Sequence, residues 1–121
     1  MNPLDYGTRE ACQQLADAGI VMKTAQYIAI NRDTGGCAFV SADARPLLPN
    51  HECIPAPSFG EIWRELCREN SMHMENGREV TAVWCITKDI VKSPIFENIN
   101  PTDALIALRI WLEGKETDDG R

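Results

Sequence analysis

Asp33-Thr34-Gly35 is the first triplet in this 121-residue chain whose residue types could do chemistry. Two such loops, brought together by a dimer, would set two carboxylates around one proton and activate water. That arrangement needs the aspartate to follow an apolar strand that shields it. Here Asn31 and Arg32 precede Asp33, Gly36 follows, and no later apolar-apolar-Gly segment appears. Asp, Thr and Gly are also favoured in hairpin turns, and a turn is the expectation. His51, Cys53, Cys37 and His73 hold donor atoms that suit zinc. Zinc sites commonly include a tight pair, C-x2–4-C or H-x3–5-H. His51-x-Cys53 is tighter than that and the others are scattered, so no metal ligand is assigned. Cys53 beside His51 is also the one exposed candidate for a nucleophile and its base. Such a pair needs a lowered thiol pKa and a hydrogen bond in space, which adjacency in sequence does not supply. Glu61, Glu65 and Glu69 recur every fourth residue and could hold a divalent ion. Arg64 and Arg68 stand among them, which favours ion pairs on a solvated face, each worth about 0.2–0.5 kcal/mol. There is no phosphate-cradling glycine loop, nucleophile elbow, metalloprotease helix or basic patch with interleaved aromatics. No catalytic, cofactor-binding or metal-binding residue is therefore assigned.

The elements that must position these residues follow from punctuation and periodicity. Thr8 caps a first helix over residues 8–18, and Gly19 supplies its left-handed stop. The inward stripe is Ala11, Cys12, Leu15 and Ala18. Residues 20–30 are rich in β-branched and aromatic types and read as a strand. Asn31 to Gly36 is turn chemistry, and Cys37 to Ser41 returns as a second strand. Residues 42–57 hold four of the seven prolines, and Ile54 to Pro57 is expected to be extended. Ser58 and Glu61 form a capping box for a second helix. Its apolar face is Phe59, Ile62, Trp63, Leu66 and Cys67.

Met72 to Glu75 and Glu79 to Thr87 read as a second hairpin, with Asn76-Gly77 as a two-residue turn. Val80, Ala82, Trp84 and Ile86 face one way in the later strand, and Val83 and Cys85 the other. Both faces are apolar, which predicts a central strand covered on both sides. Residues 88–99 are irregular, with a short strand near Ile95-Phe96. Asn100 then caps a third helix, with Pro101 in its first position and Asp103 in its first turn. That helix is predicted to end at Glu113 with Gly114 as its stop. The order is helix, hairpin, helix, hairpin, helix. It predicts one α+β domain over residues 1–114, an antiparallel sheet of four to five strands with helices packed on it. Residues 115–121 are a polar tail, expected to be disordered.

Composition bounds the rest. An apolar fraction of 44% and a charged fraction of 25% suit a globular domain. The net charge of −6 is spread along the chain, which argues against nucleic acid and anionic membrane as partners. Five cysteines (Cys12, Cys37, Cys53, Cys67 and Cys85) form an odd set without a C-x-x-C spacing, as expected in a reducing cytoplasm. Met1 to Asp5 lacks the charged and apolar regions of a secretory leader.

Two helix entries carry a family likeness. Ile54-Pro55-Ala56-Pro57-Ser58-Phe59 leads into Glu61-Ile62-Trp63. Asn100-Pro101-Thr102-Asp103-Ala104 leads to Trp111-Leu112. Together they resemble small uncharacterised phage and prophage proteins of the phage α/β/α-sandwich type, over about the last two-thirds of the chain. The resemblance implies a fold and a mobile-element origin. It implies no catalytic residue.

The third helix carries the functional expectation. Ala104, Leu105, Ala107, Leu108, Trp111 and Leu112 form its inner arc. Ile106 and Ile110 form a second stripe, leaving Arg109 and Glu113 for solvent. A helix apolar nearly all round is buried on two sides. The second side would be met by a partner chain, or by the loops at residues 42–57 or 88–99. The expectation is a non-catalytic protein-interaction module, a phage or prophage accessory protein, with Ile106, Ile110 and Arg109 as its interface and a homodimer as its simplest form. Its alternatives are a small enzyme assembled around His51, Cys53 and His73, and an acidic inhibitor that mimics nucleic acid.

Overall fold

Local hydrogen bonds start and stop the helices of this chain, and they are visible residue by residue. The computed structural model describes residues 6–43 and 50–119, with side chains as far as Gly114. Residues 1–5, including the segment read for a leader, lie outside the described residues, as do Ala44 to Pro49 of the proline-rich stretch, residues 120–121 and the side chains of the rest of the polar tail. Helix α1 (Arg9–Asp17) begins where the extended Thr8 accepts the Ala11 N–H on its hydroxyl. It ends before Gly19, whose φ of 77° turns the chain away. Ala11, Cys12 and Leu15 are buried, but Ala18 is exposed because it serves as the C-cap.

Strands β1 (Gln26–Asn31) and β2 (Cys37–Ser41) form the first hairpin, in register from Gln26↔Ser41 to Ile30↔Cys37. The first strand is shorter than predicted. Residues 20–25 spend their polar groups elsewhere: the Ala25 N–H donates to Glu61 Oε2 and the Thr24 hydroxyl to the Gln26 carbonyl. Strand β3 (His51–Pro55) then pairs with the free edge of β1, from Tyr27↔Pro55 to Asn31↔His51. Helix α2 (Phe59–Cys67) opens on the expected capping box, with the Glu61 N–H on Ser58 Oγ and the Ser58 N–H on Glu61 Oε1. It buries Ile62 and Leu66, and Phe59 stacks on Trp63 at 5.7 Å. Cys67, expected on that face, is exposed.

Strands β4 (Ser71–Asn76), β5 (Thr81–Ile86) and β6 (Phe96–Asn98) form a second sheet in the order β4-β5-β6. The turn between β4 and β5 is not the predicted two-residue one. Asn76 pairs with Thr81 in the ladder, so Gly77 to Val80 form a four-residue loop, closed by the Gly77 N–H on the Val80 carbonyl. Neither Asn76 nor Gly77 takes the positive φ that a tight primed turn requires. Helix α3 (Pro101–Asp119) starts on Asn100, whose Oδ1 accepts from Thr102 and Asp103 N–H groups. It runs through Gly114 instead of stopping there. Gly114 keeps a helical φ, and an interior glycine costs a helix only about 1 kcal/mol.

The fold is thus α+β with two three-stranded antiparallel sheets, not one sheet of four or five strands. Each hairpin recruits a third strand from the chain that follows it. Both edges of β1 and of β5 are then filled, and among the described residues no ladder joins the two sheets. The first sheet puts its earliest strand in the centre and the second its middle strand, so helix-plus-hairpin does not repeat as a unit. Helices join the sheets: α1 packs on β3 and α3, while α3 packs on β5, β6 and α2. One core results, drawing Leu15, Ile28, Ile54, Ile62, Val83 and Leu105 from six different elements. Among the described residues no helix is long and apolar enough to cross a membrane.

Candidate functional site

The Asp33-Thr34-Gly35 triplet closes the β1–β2 turn. Asn31 Oδ1 accepts from the Asp33 and Thr34 N–H groups, Thr34 Oγ1 accepts from Gly36, and Gly35 takes a φ of 73°. Asp33 is exposed and its Oδ2 accepts from the Asn50 amide at 2.7 Å. The backbone N–H groups of Asp33 and Thr34 and the Thr34 hydroxyl serve the turn, and the Asp33 carboxylate ties that turn to Asn50.

Sheet register separates the four zinc-suited residues. Cys37 stands opposite Ile30 and Cys53 opposite Ala29, so their side chains leave opposite faces of the first sheet. His51 shares the Cys53 face, two residues along. His73 lies in the other sheet, stacked on Trp84 at 5.6 Å. Among the described residues no three His, Cys, Asp or Glu side chains converge as metal ligands. His51 Nδ1 is buried and has no hydrogen-bond partner, so no bond from it activates Cys53.

Of the expected interface on α3, Ile106 is covered by the chain itself. Ile106 is 1% exposed and Ile110 is half-buried against the core. The cover over Ile106 is the segment at Gly7, where a Cβ would come within 2.6 Å of Ile106 Cδ1 and 2.9 Å of Cys12 Sγ. Only a residue without a side chain lets the backbone lie that close. Arg109, expected in solvent, bridges Glu65 of α2 and Glu113 of α3, both at 2.9 Å. Burial works against its charge, but the two carboxylates outweigh burial and hold the guanidinium more firmly protonated than usual.

A second polar knot ties α1 to α3. The Thr8 N–H and hydroxyl both donate to Asp103, each at 2.8 Å, and the Asn100 amide donates to the Tyr6 carbonyl. Cys12 packs beside this knot. Burial first, and then the charge of Asp103, push its thiol up to about 12. That is the opposite of an activated nucleophile.

Two features escaped the sequence reading. The first is the outer face of the second sheet. Thr81, Val83 and Cys85 turn inward and are buried, but Trp84 is half-exposed and Ile86 is 37% exposed. Strand β5 is central, as expected, yet covered on one face only. Beside Trp84 runs β4, an edge strand exposed along most of its length. The second feature is a cleft of about 690 Å³ between α2, α3, residues 21–23 and residues 87–89. The charged face of α2, read as plain solvated surface, is one of its walls. The only advance signal was the Arg64 and Arg68 pair one turn apart.

No family model, curated protein or solved structure matches this chain.

Proposed function

We propose that this protein is a non-catalytic protein-interaction module that self-associates through the second sheet. One observation supports the reading: Ala82, Trp84 and Ile86 of β5 share the outer face of the second sheet and stay partly exposed there, flanked by His73 and Glu75 of β4 and Glu97 of β6. The adjoining edge strengthens it. Strand β4 reads Ser71-Met72-His73-Met74-Glu75-Asn76, with none of the lysines or prolines that guard free edges. Two copies meeting edge to edge about a two-fold axis would pair β4 with β4 antiparallel, an isologous contact. Trp84, stacked on His73 of that same edge strand, would lie beside the seam. The accessory role in a phage or prophage rests on the two helix-entry segments alone.

The test is the solution mass by light scattering, with Met74→Lys as the variant. Met74 stands at the free edge opposite Val83 and is 40% exposed, so a charge there opposes edge pairing, and a circular dichroism spectrum matching the wild type shows that the fold is kept. A wild type at twice the chain mass and a monomeric Met74→Lys support the proposal. A monomeric wild type at millimolar concentration removes it.

A further inference from the structure

We infer that the cleft between α2 and α3 binds a small organic dianion, a phosphate ester with an apolar body. The inference stands apart from self-association, because α2 and α3 lie away from the outer face of the second sheet.

Five cations from four parts of the chain line the cleft: Lys23 before β1, Arg64 and Arg68 on α2, Lys88 after β5 and Arg109 on α3. Four carboxylates share the lining, but two are already committed. Glu61 accepts from the Ser58 N–H on one oxygen and from the Ala25 N–H on the other, which fixes its position and leaves its charge. Glu65 is held by Arg109. Glu69 and Asp89 remain. Lys23, Arg64, Arg68 and Lys88 form no ion pair among the described residues. The lining therefore carries a net charge of +1 in a chain whose net charge is −6. Chains gather unpaired cations against their overall charge where an anion is to be held.

Valence and shape narrow the ligand. Four cations without an ion-pair partner among the described residues suit a phosphoryl group, whose several oxygens can each accept from a different cation. Arginines one helical turn apart present planar forks that suit phosphoryl oxygens. The floor is apolar: Met22, Leu66 and Leu112 are each nearly buried and close the base of the cleft. The volume lies within the range of about 300–1,000 Å³ usual for small-molecule sites. One wall is also held in an unusual form. Ile90 takes a φ of 62°, rare for a β-branched residue, and the Thr87 carbonyl and hydroxyl accept from Ile90 and Val91. This turn fixes Lys88 and Asp89 at the rim, and strain of this kind gathers at ligand sites.

The experiment titrates the full chain with phenyl phosphate at low salt, using calorimetry, with phenol and methyl phosphate as the other arms. Phenyl phosphate should bind saturably, phenol should not, and methyl phosphate, of equal charge, should bind more weakly because it leaves the apolar floor empty. The Arg64→Gln/Arg68→Gln variant keeps two helix-forming residues on an exposed face, and its circular dichroism should match the wild type. Its affinity for phenyl phosphate should fall by about tenfold or more, and added salt should weaken wild-type binding in the same direction. No saturable binding by about 10 mM phenyl phosphate, or equal affinity in the folded double variant, overturns the inference. Methyl phosphate binding as tightly as phenyl phosphate overturns the part assigned to the floor.

Discussion

β1 and β5 are the central strands of their sheets, and both are apolar along most of their length. They end up in different surroundings. In β1 four consecutive residues, Tyr27 to Ile30, are buried at 9% exposure or less. In β5 burial alternates: Val83 and Cys85 are fully buried, while Trp84 and Ile86 stay partly in water. A run of apolar residues states that a strand can be covered on both faces. It does not state that its own chain supplies the second cover. The difference marks where the molecule still has apolar area to give.

The largest effect that tests this contrast is Ile28→Ala. Ile28 is 3% exposed and packs with Ile54 from the neighbouring strand. Removing three carbons from a closed site should cost about 2–5 kcal/mol, read as a lower urea midpoint. Next is the link between the regions. Asp103→Ala leaves the Thr8 N–H and hydroxyl without acceptors at the junction of α1 and α3. A loss of about 1–3 kcal/mol is expected in the same assay.

Cys12, at the same junction, gives a pH-dependent version. In the unfolded chain its thiol ionises near 9.0, and in the fold only near 12. The fold keeps a proton there that the unfolded chain releases. Its contribution is complete below pH 9 and is lost as pH climbs from 9 towards 12. Between pH 8 and pH 10 the loss should be about 1.4 kcal/mol, and Cys12→Ala should remove that part of the slope. Because Asp103 contributes to the shift, Asp103→Ala should flatten the slope as well, and the two substitutions should not add.

What the sequence made legible was local. Thr8, Gly19, Ser58 with Glu61, and Asn100 with Pro101 act within four residues of themselves, so their types and spacing disclosed the helix starts and the first stop. The α+β class followed from them. The third strand of each sheet was hidden for the opposite reason. His51 to Pro55 reads as part of a proline-rich loop, and only pairing with β1 makes it a strand. The covering of Ile106 could not be read either, since it depends on Gly7 lying across it from the far end of the chain. The cleft was least legible of all. Its cations stand at positions 23, 64, 68, 88 and 109, and nothing local relates Lys23 to Lys88.

The smallest effect decides the comparison. Ile86→Ala makes the same chemical change as Ile28→Ala, on the other central strand, at a site 37% exposed. A partly exposed side chain leaves no closed cavity when shortened, so the cost to the monomer should stay below about 1 kcal/mol. If the cost matches that of Ile28→Ala, the outer face of β5 is covered after all and the contrast between the strands disappears. If it stays small in dilute solution but grows at protein concentrations where the chain associates, the second cover is another copy. Unfolding Ile86→Ala and wild type across a hundredfold range of protein concentration separates these outcomes, because an interface contributes to stability by mass action and a monomer core does not.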